Sequence, residues 1–398
     1  MRIAFAWEWG SGSGHIMRFS PLARQAIQDG HQLTLIVRDS KRTRNLLSTY
    51  RLNHENISVI ESPAWPRCPR DQLRLPNCLS QIAWNLGFFD QTATNQQIRW
   101  WRDRMHELRP ELVVQDFGVT AGLVAWTLGI PTLRIGTGYT CAPRTKIPVS
   151  IPALLDVSSD SRTTTNQSAW ESLRERIRTG CQTNDLNPPD RWHEIINGCE
   201  EDRIATVALL DPYAPVRTNA RYCGVWPAAS SAMNRSDRWA TAIAYLKPFP
   251  AWELFFSALR QCGVRVDLVP DGVDASLLRT CDPAWVRVLD RFVPIEKAAQ
   301  NQRHLINNGN HGTSALALLS GMAVITCPLF LEQRLTADAI ETAGLGLRVN
   351  LQRPQYFLQR LDEAFGSNAF NENARNFSTS QRQLFLNAAP DRLTLVKH

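Results

Sequence analysis

Two titratable residues in the first third of the chain follow strand-like runs. His15 comes after the apolar run Arg2–Trp7 and a glycine- and serine-rich loop, where a helical pattern begins. Asp116 directly follows the apolar run Leu112–Gln115. An acid buried at a strand end needs a partner, and His15 is the natural candidate because parallel strands end at one edge of a sheet. Histidine suits proton transfer near neutral pH, although a lone histidine at a helix start is more often structural.

A turn rich in glycine and asparagine follows a strand-like run in the second half. The run His304–Asn307 leads into residues 308–314, which have the sequence NGNHGTS, and a helical pattern follows. A strand, a tight turn and a helix with small polar residues in its first turn form an anion site from backbone N–H groups and the helix dipole. The alternative is a tight connection without a ligand.

An acid and an amide stand side by side after the next apolar strand. Glu332 and Gln333 follow the segment 323–331, which ends in CPLFL. Side chains of these two types can hydrogen-bond vicinal hydroxyl groups, as a sugar presents them. The alternative is a helix N-terminus, where glutamate is favoured without any ligand.

The elements that must position these residues alternate between strand and helix. Strands are predicted at 2–7, 33–37, 57–60, 112–115, 132–135, 242–245, 264–269, 286–289, 304–307 and 323–327, and helices at 16–29, 119–128, 252–262, 312–320 and 332–343. Nearly continuous apolar strands alternating with helices indicate parallel sheets covered on both faces. Insertions of loops and helices are predicted at 61–108 and 140–200, and a helical tail from residue 371 onward.

Two domains are expected from the length of 398 residues. The proline-rich stretch 211–237 interrupts the alternation and is the predicted linker. Domains are therefore placed at 1–218 and 219–398, since the strand and helix pattern restarts at Ala242. No run approaches the roughly 20 apolar residues of a membrane span, and no signal-peptide core is present, so a cytoplasmic location is expected.

Charge and cysteine usage limit the function classes. The nine cysteines form no C-x-x-C pair, which indicates reduced thiols. The net charge of +7 suits an anionic ligand and is compatible with peripheral contact to an acidic membrane. The basic residues form no long run, so a specific nucleic-acid role is not expected. The sequence lacks a P-loop, an H-E-x-x-H motif and an Asp-x-Asp pair, and no metal is expected.

Together these segments resemble the family 1 glycosyltransferases, the superfamily of UDP-glycosyltransferases with the GT-B fold. Residues 5–24 and 29–31 resemble the family's first strand, Gly/His loop and first helix, and residues 112–117 its acid-bearing strand. Residues 286–294, 308–313, 328–333 and 343–346 resemble its donor signature. The match runs in order through both halves, with residues 140–235 only loosely covered.

The resemblance implies an α/β fold with two Rossmann-like domains facing each other across a cleft. The N-terminal domain would bind the acceptor and the C-terminal domain the nucleotide sugar. His15 would be the base, oriented by Asp116. The donor-binding residues would be Asn308, Gly309, His311, Gly312, Thr313, Glu332 and Gln333.

The donor turn departs from the family pattern His-Gly-Gly-x-Gly-Thr. Asn308 stands where the family has a histidine that meets the diphosphate, and Asn310 replaces the second glycine. Leu316 stands where some relatives grip the ribose with a glutamate. Asparagine can still donate a hydrogen bond, but not a charge-assisted one.

The function that follows is an inverting, metal-independent transfer of a hexose from UDP or dTDP to an acceptor hydroxyl, with the nucleotide sugar as co-substrate and no further cofactor. Alternatives are a nucleotide-sugar-binding protein without turnover and a nucleotide-sugar epimerase. The N-terminal half is rich in aromatic residues, which favours an aromatic, apolar or lipid-like acceptor, with core packing as the alternative. These residues are Trp7, Trp9, Trp84, Phe88, Phe89, Phe117 and Tyr139.

Overall fold

The chain folds into two compact α/β units. The computed structural model describes residues 1–10, 14–49, 51–72, 76–154, 160–196, 202–218, 221–225, 239–290 and 292–387. The first unit comprises residues 1–205 and 211–223, and the second comprises 206–210 and the residues from 224 to 387. Residues 206–210 therefore leave the first unit and pack in the second before the chain returns.

The first unit contains a seven-stranded sheet in the order β3-β2-β1-β4-β5-β6-β7, and all of its pairings are parallel. Its strands are β1 (Arg2–Trp7), β2 (Gln32–Val37), β3 (Ile57–Glu61), β4 (Leu112–Gln115), β5 (Thr132–Gly136), β6 (Asp202–Ile204) and β7 (Arg221–Tyr222). In β1 every residue after Arg2 is buried, as expected for a strand covered on both faces.

Seven helices belong to the described part of the first unit. They are α1 (Gly14–Gln28), α2 (Ser40–Thr49), α3 (Leu79–Ala83), α4 (Gln91–Leu108), α5 (Val119–Thr127), α6 (Asp160–Thr183) and α7 (Trp192–Ile196). A π-helical turn at Trp84–Phe88 continues α3. The side chain of Asp90 caps α4 by accepting a hydrogen bond from the N–H of Ala93 at 2.9 Å, which fixes where that helix begins.

The second unit contains a six-stranded parallel sheet in the order β10-β9-β8-β11-β12-β13. Its strands are β8 (Ala242–Leu246), β9 (Val266–Pro270), β10 (Val286–Val288), β11 (His304–Asn307), β12 (Ala323–Thr326) and β13 (Gly346–Arg348). Its helices are α8 (Trp252–Gln261), α9 (Ala275–Leu278), α10 (Ile295–Ala298), α11 (His311–Leu319), α12 (Leu331–Thr342), α13 (Phe357–Gly366) and α14 (Ala369–Asn387).

Successive residues of the central strand β8 pack into two different hydrophobic cores. Ala244 and Leu246 of β8 join the core that contains Phe255 and Phe357, whereas Ile243 and Tyr245 join the core that contains Leu316. Side chains alternate between the two faces of a strand, so a strand with two apolar faces must be covered by helices on both sides. This explains why β8 is a continuous apolar run rather than an alternating one.

In each sheet the succession of strands along the chain changes direction between two central strands. The carboxyl ends of these two strands lead to the candidate residues. In the first sheet the central pair is β1 and β4, whose carboxyl ends lead to His15 and Asp116. In the second sheet β8 and β11 form the central pair, and Asn308 follows β11. Open α/β sheets bind ligands at this switch point, outside the carboxyl ends of the strands.

Most predicted elements agree with the structure to within two residues, but several elements were not predicted. Strands β6, β7 and β13 have only two or three residues each and were not predicted. Strand β7 lies inside the predicted linker 211–237 and pairs with β6, so that part of the linker prediction is wrong. Residues 219–220 and 226–237 of the linker lie outside the described residues.

Within the described residues, no helix is both long and apolar enough to cross a bilayer. The eight cysteines in that part of the chain are all free thiols, as the sequence predicts, and Cys199 lies outside it.

Replacement of Phe255 by alanine is expected to destabilise the second unit strongly. Phe255 is fully buried and packs edge-to-face against Phe249 and Phe357. Loss of such a ring costs about 3–5 kcal/mol of unfolding free energy. The matched control is Leu254→Ala in the same helix, because Leu254 is 58% exposed. Denaturant unfolding of both variants should separate them by several kcal/mol, and equal stabilities would contradict the described core.

Candidate functional site

The structure brings His15 and Asp116 into contact. Nδ1 of His15, the second residue of α1, lies 3.0 Å from Oδ2 of Asp116. The backbone N–H of Asp116 donates to the carbonyl of Ala6 at 3.0 Å, which ties the end of β4 to β1. The Asp116 carboxylate is fully buried and the His15 side chain is 9% exposed. The pair therefore lies where the switch point of the first sheet places it.

Arg18, which the sequence analysis missed, completes the cluster. Its Nε donates to Oδ2 of Asp116 at 2.9 Å, and its Nη2 lies 2.8 Å from the same oxygen. The same Nη2 lies 3.0 Å from Nδ1 of His15. Residues three apart on a helix share a face, so the spacing of His15 and Arg18 was a signal that could have been used.

The charge of Arg18 decides the ionisation of Asp116. Burial raises the pKa of the Asp116 carboxyl, but the Arg18 guanidinium and the His15 ring outweigh it, so the pKa lies below its usual value. An ionised carboxylate accepts the Nδ1–H of a histidine. When Nδ1 of His15 carries the proton that this carboxylate accepts, Nε2 carries the lone pair.

The ring of His15 is held from two further sides. The indole of Trp7 stacks on it with centroids 4.9 Å apart and an interplanar angle of 21°. A side chain at position 10 would place its Cβ 2.6 Å from Nε2 of His15, and Gly10 has a φ of +87°. Glycine fits both requirements, and it places no side chain against Nε2.

Four of the predicted aromatic residues form one cluster with Trp65. The ring of Trp9 packs edge-on against Phe88 at 5.8 Å and Phe117 at 5.4 Å, and Phe117 contacts Tyr139 at 6.4 Å. Trp65 packs against Trp9 and Phe88. The other three make different contacts or none in this cluster. Trp7 covers His15, and the guanidinium of Arg176 lies over the ring of Trp84 at 5.8 Å. Phe89 is half-buried directly after the π-helical turn.

Glu8, directly after β1, is a second buried carboxyl that sequence reasoning missed. It accepts a hydrogen bond from the N–H of Ala121 at 2.8 Å, and Nε1 of Trp65 lies 3.4 Å away. Burial raises the pKa of Glu8 to about 7 against the lowering effect of these hydrogen bonds. The carboxyl thus joins the start of α5 to the aromatic cluster.

In the second unit the side chain of Asn308 ties three strand ends together. Its Nδ2 donates to the carbonyl of Cys327 at 2.9 Å, and its Oδ1 accepts from the N–H of Lys247 at 2.8 Å. These residues follow β12 and β8, the two neighbours of β11. Asn308 is fully buried and its amide is used at both ends, so the side chain acts as a clip within the sheet.

The turn after Asn308 is held by further amide groups. Oδ1 of Asn307 accepts from the N–H of Gly309 at 2.7 Å. Gly309 has a φ of +79°, and a Cβ there would lie 2.6 Å from the carbonyl of Gln333. Nε2 of Gln333 donates to Asn310 at 2.8 Å, and its Oε1 accepts from Leu329 at 2.8 Å. Gln333 therefore holds the 308–313 turn against the start of α12.

The remaining donor candidates lie at the starts of α11 and α12. Nε2 of His311 lies 2.6 Å from the hydroxyl of Thr206, inside the segment 206–210 that packs in this unit. Gly312 and Thr313 are half-buried in the first turn of α11, and among the described residues a Cβ at position 312 would meet no atom outside that helix within 4 Å. Glu332 is half-buried in the first turn of α12.

Among the residues that the structure describes, no group of three or more His, Cys, Asp or Glu side chains is arranged to hold a metal ion.

Comparisons with known proteins find likeness in structure alone. No protein-family model and no curated protein match the sequence. The solved glycotransferase of kitacinnamycin superposes with a TM-score of 0.67 at 15% identity, covering 98% of this chain and 96% of that one. Spinosyn rhamnosyltransferase SpnG matches with its spinosyn aglycone (TM-score 0.67, 14% identity) and with thymidine diphosphate (0.66, 13%), each covering 96% of both chains.

These likenesses show the fold. The chain has the α/β two-domain GT-B fold of family 1 glycosyltransferases such as these, with a parallel sheet in each unit. The predicted fold class, α/β with two Rossmann-like domains, is confirmed.

Substitution of Asn308 by histidine is expected to destabilise the protein and not to restore a phosphate contact. Each buried group that loses its partner costs about 1–3 kcal/mol, and the amide serves two of them. Urea unfolding should show the loss in Asn308→His and Asn308→Ala. The control Thr313→Ala, in the same segment but half-buried, should stay near the unsubstituted chain. A stable Asn308→His variant that binds nucleoside diphosphates more tightly would contradict the structural role assigned to the Asn308 amide.

Proposed function

We propose that the protein is an inverting, metal-independent glycosyltransferase that moves a hexose from UDP or dTDP to the hydroxyl of an acceptor. The contact between His15 and Asp116 carries this proposal, because it supplies an oriented base at the switch point of a sheet. The fold is shared with glycosyltransferases along nearly the whole chain, which supports the assignment.

The first unit activates the acceptor. An acceptor hydroxyl is a poor nucleophile, and its proton must leave as the bond to the sugar forms. His15 takes this proton at Nε2, beside Gly10, while its Nδ1–H faces Asp116. The carboxylate stabilises the imidazolium that forms and does not take the proton itself. The acceptor oxygen attacks the anomeric carbon from the face opposite the departing nucleotide. This single displacement inverts the configuration of that carbon.

The second unit binds the donor through backbone groups. The first N–H groups of a helix have no partner within it, and those of Gly312 and Thr313 lie in the first turn of the nine-residue α11. They and the helix dipole stabilise the departing diphosphate, which needs no metal for its charge. Gly309 and Asn308 shape this turn. Glu332 contacts the sugar hydroxyls, and Gln333 positions the two segments.

The acceptor is aromatic or apolar in this proposal. Trp9 follows β1 and Phe117 follows β4, the strands that lead to His15 and Asp116, and both rings pack in one cluster with Phe88 and Tyr139. Trp7 is the last residue of β1, and Trp84 begins the π-helical turn that contains Phe88. Phe117, next to Asp116, has a φ of +56°, a strained value for a bulky residue that is typical of functional sites. The similar structures of a spinosyn rhamnosyltransferase with spinosyn aglycone and with thymidine diphosphate support an aglycone acceptor and a dTDP donor.

The rival hypothesis is a nucleotide-sugar-binding protein without turnover. It was motivated by asparagine at position 308, where the family pattern has histidine. The clip formed by Asn308 lies in the second unit and leaves the His15 and Asp116 pair in the first unit intact. Loss of one phosphate contact weakens the donor site, whereas loss of the base would abolish chemistry.

Replacement of His15 by alanine is the test of this function. Turnover should fall by roughly 10²–10⁴-fold, the range for loss of general-base catalysis. Affinity for UDP or dTDP, measured by calorimetry, should be kept because these ligands are assigned to the other unit. Asp116→Asn should also impair turnover while the protein stays folded.

The matched control is His106→Ala, which removes an exposed histidine from the last turn of α4 in the same unit. It should keep full activity. A fully active His15→Ala variant would overturn the assignment of the base.

A further inference from the structure

Three donors converge on one oxygen of a buried carboxylate. Nδ1 of His15 and both Nε and Nη2 of Arg18 lie 2.8–3.0 Å from Oδ2 of Asp116. The Arg18 side chain is 12% exposed and that of Asp116 is 0% exposed. The Arg18 side chain is thus almost as buried as the side chains of His15 and Asp116, which it contacts.

A buried carboxylate must have a cationic partner, and the identity of that partner matters here. An ionised carboxylate without a cation is strongly disfavoured inside a protein. If His15 alone supplied the positive charge, its ring would have to be protonated, and a protonated ring cannot take a proton from an acceptor. Arginine stays charged at every pH at which proteins are folded.

We propose that Arg18 is a positioning residue that serves as the permanent counter-ion of Asp116, so that His15 stays a neutral base. The inference rests on the proposed function for its catalytic consequence, and on contacts within the first unit for its geometry. Nη2 of Arg18, 3.0 Å from Nδ1, also places a positive charge where imidazolium would form. Arg18 therefore both removes the need for a charged His15 ring and opposes its formation.

Other charged groups near these elements point elsewhere. Glu8, after β1, turns its carboxyl to the N–H of Ala121. Arg38, after β2, donates to the carbonyl of Gly10 at 2.5 Å. Trp7 and Phe117, which neighbour the site from β1 and β4, are uncharged. In the described part of the chain, Arg18 and Asp116 are the charged groups that lie 3.0 Å from Nδ1 of the His15 ring.

The test compares Arg18→Met, which removes the charge, with Arg18→Lys, which keeps it. Transfer is measured from pH 5 to 9, and the protonation of the His15 ring is followed by NMR of histidine-labelled protein, assigned with His15→Gln. In Arg18→Met the acid limb of the rate profile and the ring titration should both move to higher pH by about one unit or more. Arg18→Lys should shift them less, and Arg42→Met, a control in α2, should not shift them.

The outcomes separate this inference from the proposed function. If the ring titration moves in Arg18→Met but no variant transfers sugar, Arg18 is the counter-ion and the transferase assignment fails. If transfer occurs and Arg18→Met loses rate equally at every pH with an unmoved ring titration, the role of Arg18 is only structural and the inference is overturned. If Arg18→Met does not fold, the His15 ring titration in Arg18→Lys decides the question. A ring titration at the same pH as in the unsubstituted chain supports the inference. A shift of about one unit or more in a folded Arg18→Lys variant contradicts it.

Discussion

The burial of a charged carboxylate at Asp116 is the constraint on which the first unit depends. A carboxylate with no access to water is tolerated only where hydrogen bonds and opposite charge replace the water. Arg18 and His15 from α1 provide these partners at one oxygen. The N-terminal turns of α1 must therefore pack over the ends of β1 and β4. Trp7 stacks on the His15 ring, and Gly10 lies beside its Nε2, the atom that accepts the proton in the proposed mechanism.

In the second unit, neutral side chains provide the partners for polar groups at the strand ends. Parallel strands end in backbone N–H and C=O groups that need partners, and the amides of Asn307, Asn308 and Gln333 supply them. Side-chain amides suit this task because each can donate and accept at once. They hold the turn before α11 without placing a positive charge in it. In the proposed function, attraction for a diphosphate comes from the helix N-terminus itself, and donor binding then depends on backbone geometry.

The sequence predicts those parts of the structure that rest on local pattern. Strands β1, β4 and β11 have the predicted bounds because each is a short apolar run closed by polar residues. Strands β6 and β7 contain charged residues and owe their conformation to their neighbours in the sheet, which no local pattern reveals. The pairing of His15 with Asp116 could be predicted from the rule for strand ends. The clip of Asn308 could not, because its partners lie 61 and 19 residues away in sequence. Arg18 was within reach through its helical spacing, but the need for a permanent cation becomes apparent only once Asp116 is known to be fully buried.

Analysis of the transfer product is the most direct test of inverting, metal-independent transfer with His15 as the base. The protein is incubated in EDTA with UDP-glucose or dTDP-glucose, both α-linked donors, and a mixture of apolar phenols, and the product is examined by mass spectrometry and NMR. We expect a β-glucoside that forms without added metal, and that forms roughly 10²–10⁴-fold more slowly when His15 is replaced by alanine. A product with retained α configuration would contradict the assigned mechanism. Absence of both transfer and nucleotide binding would contradict the assigned function.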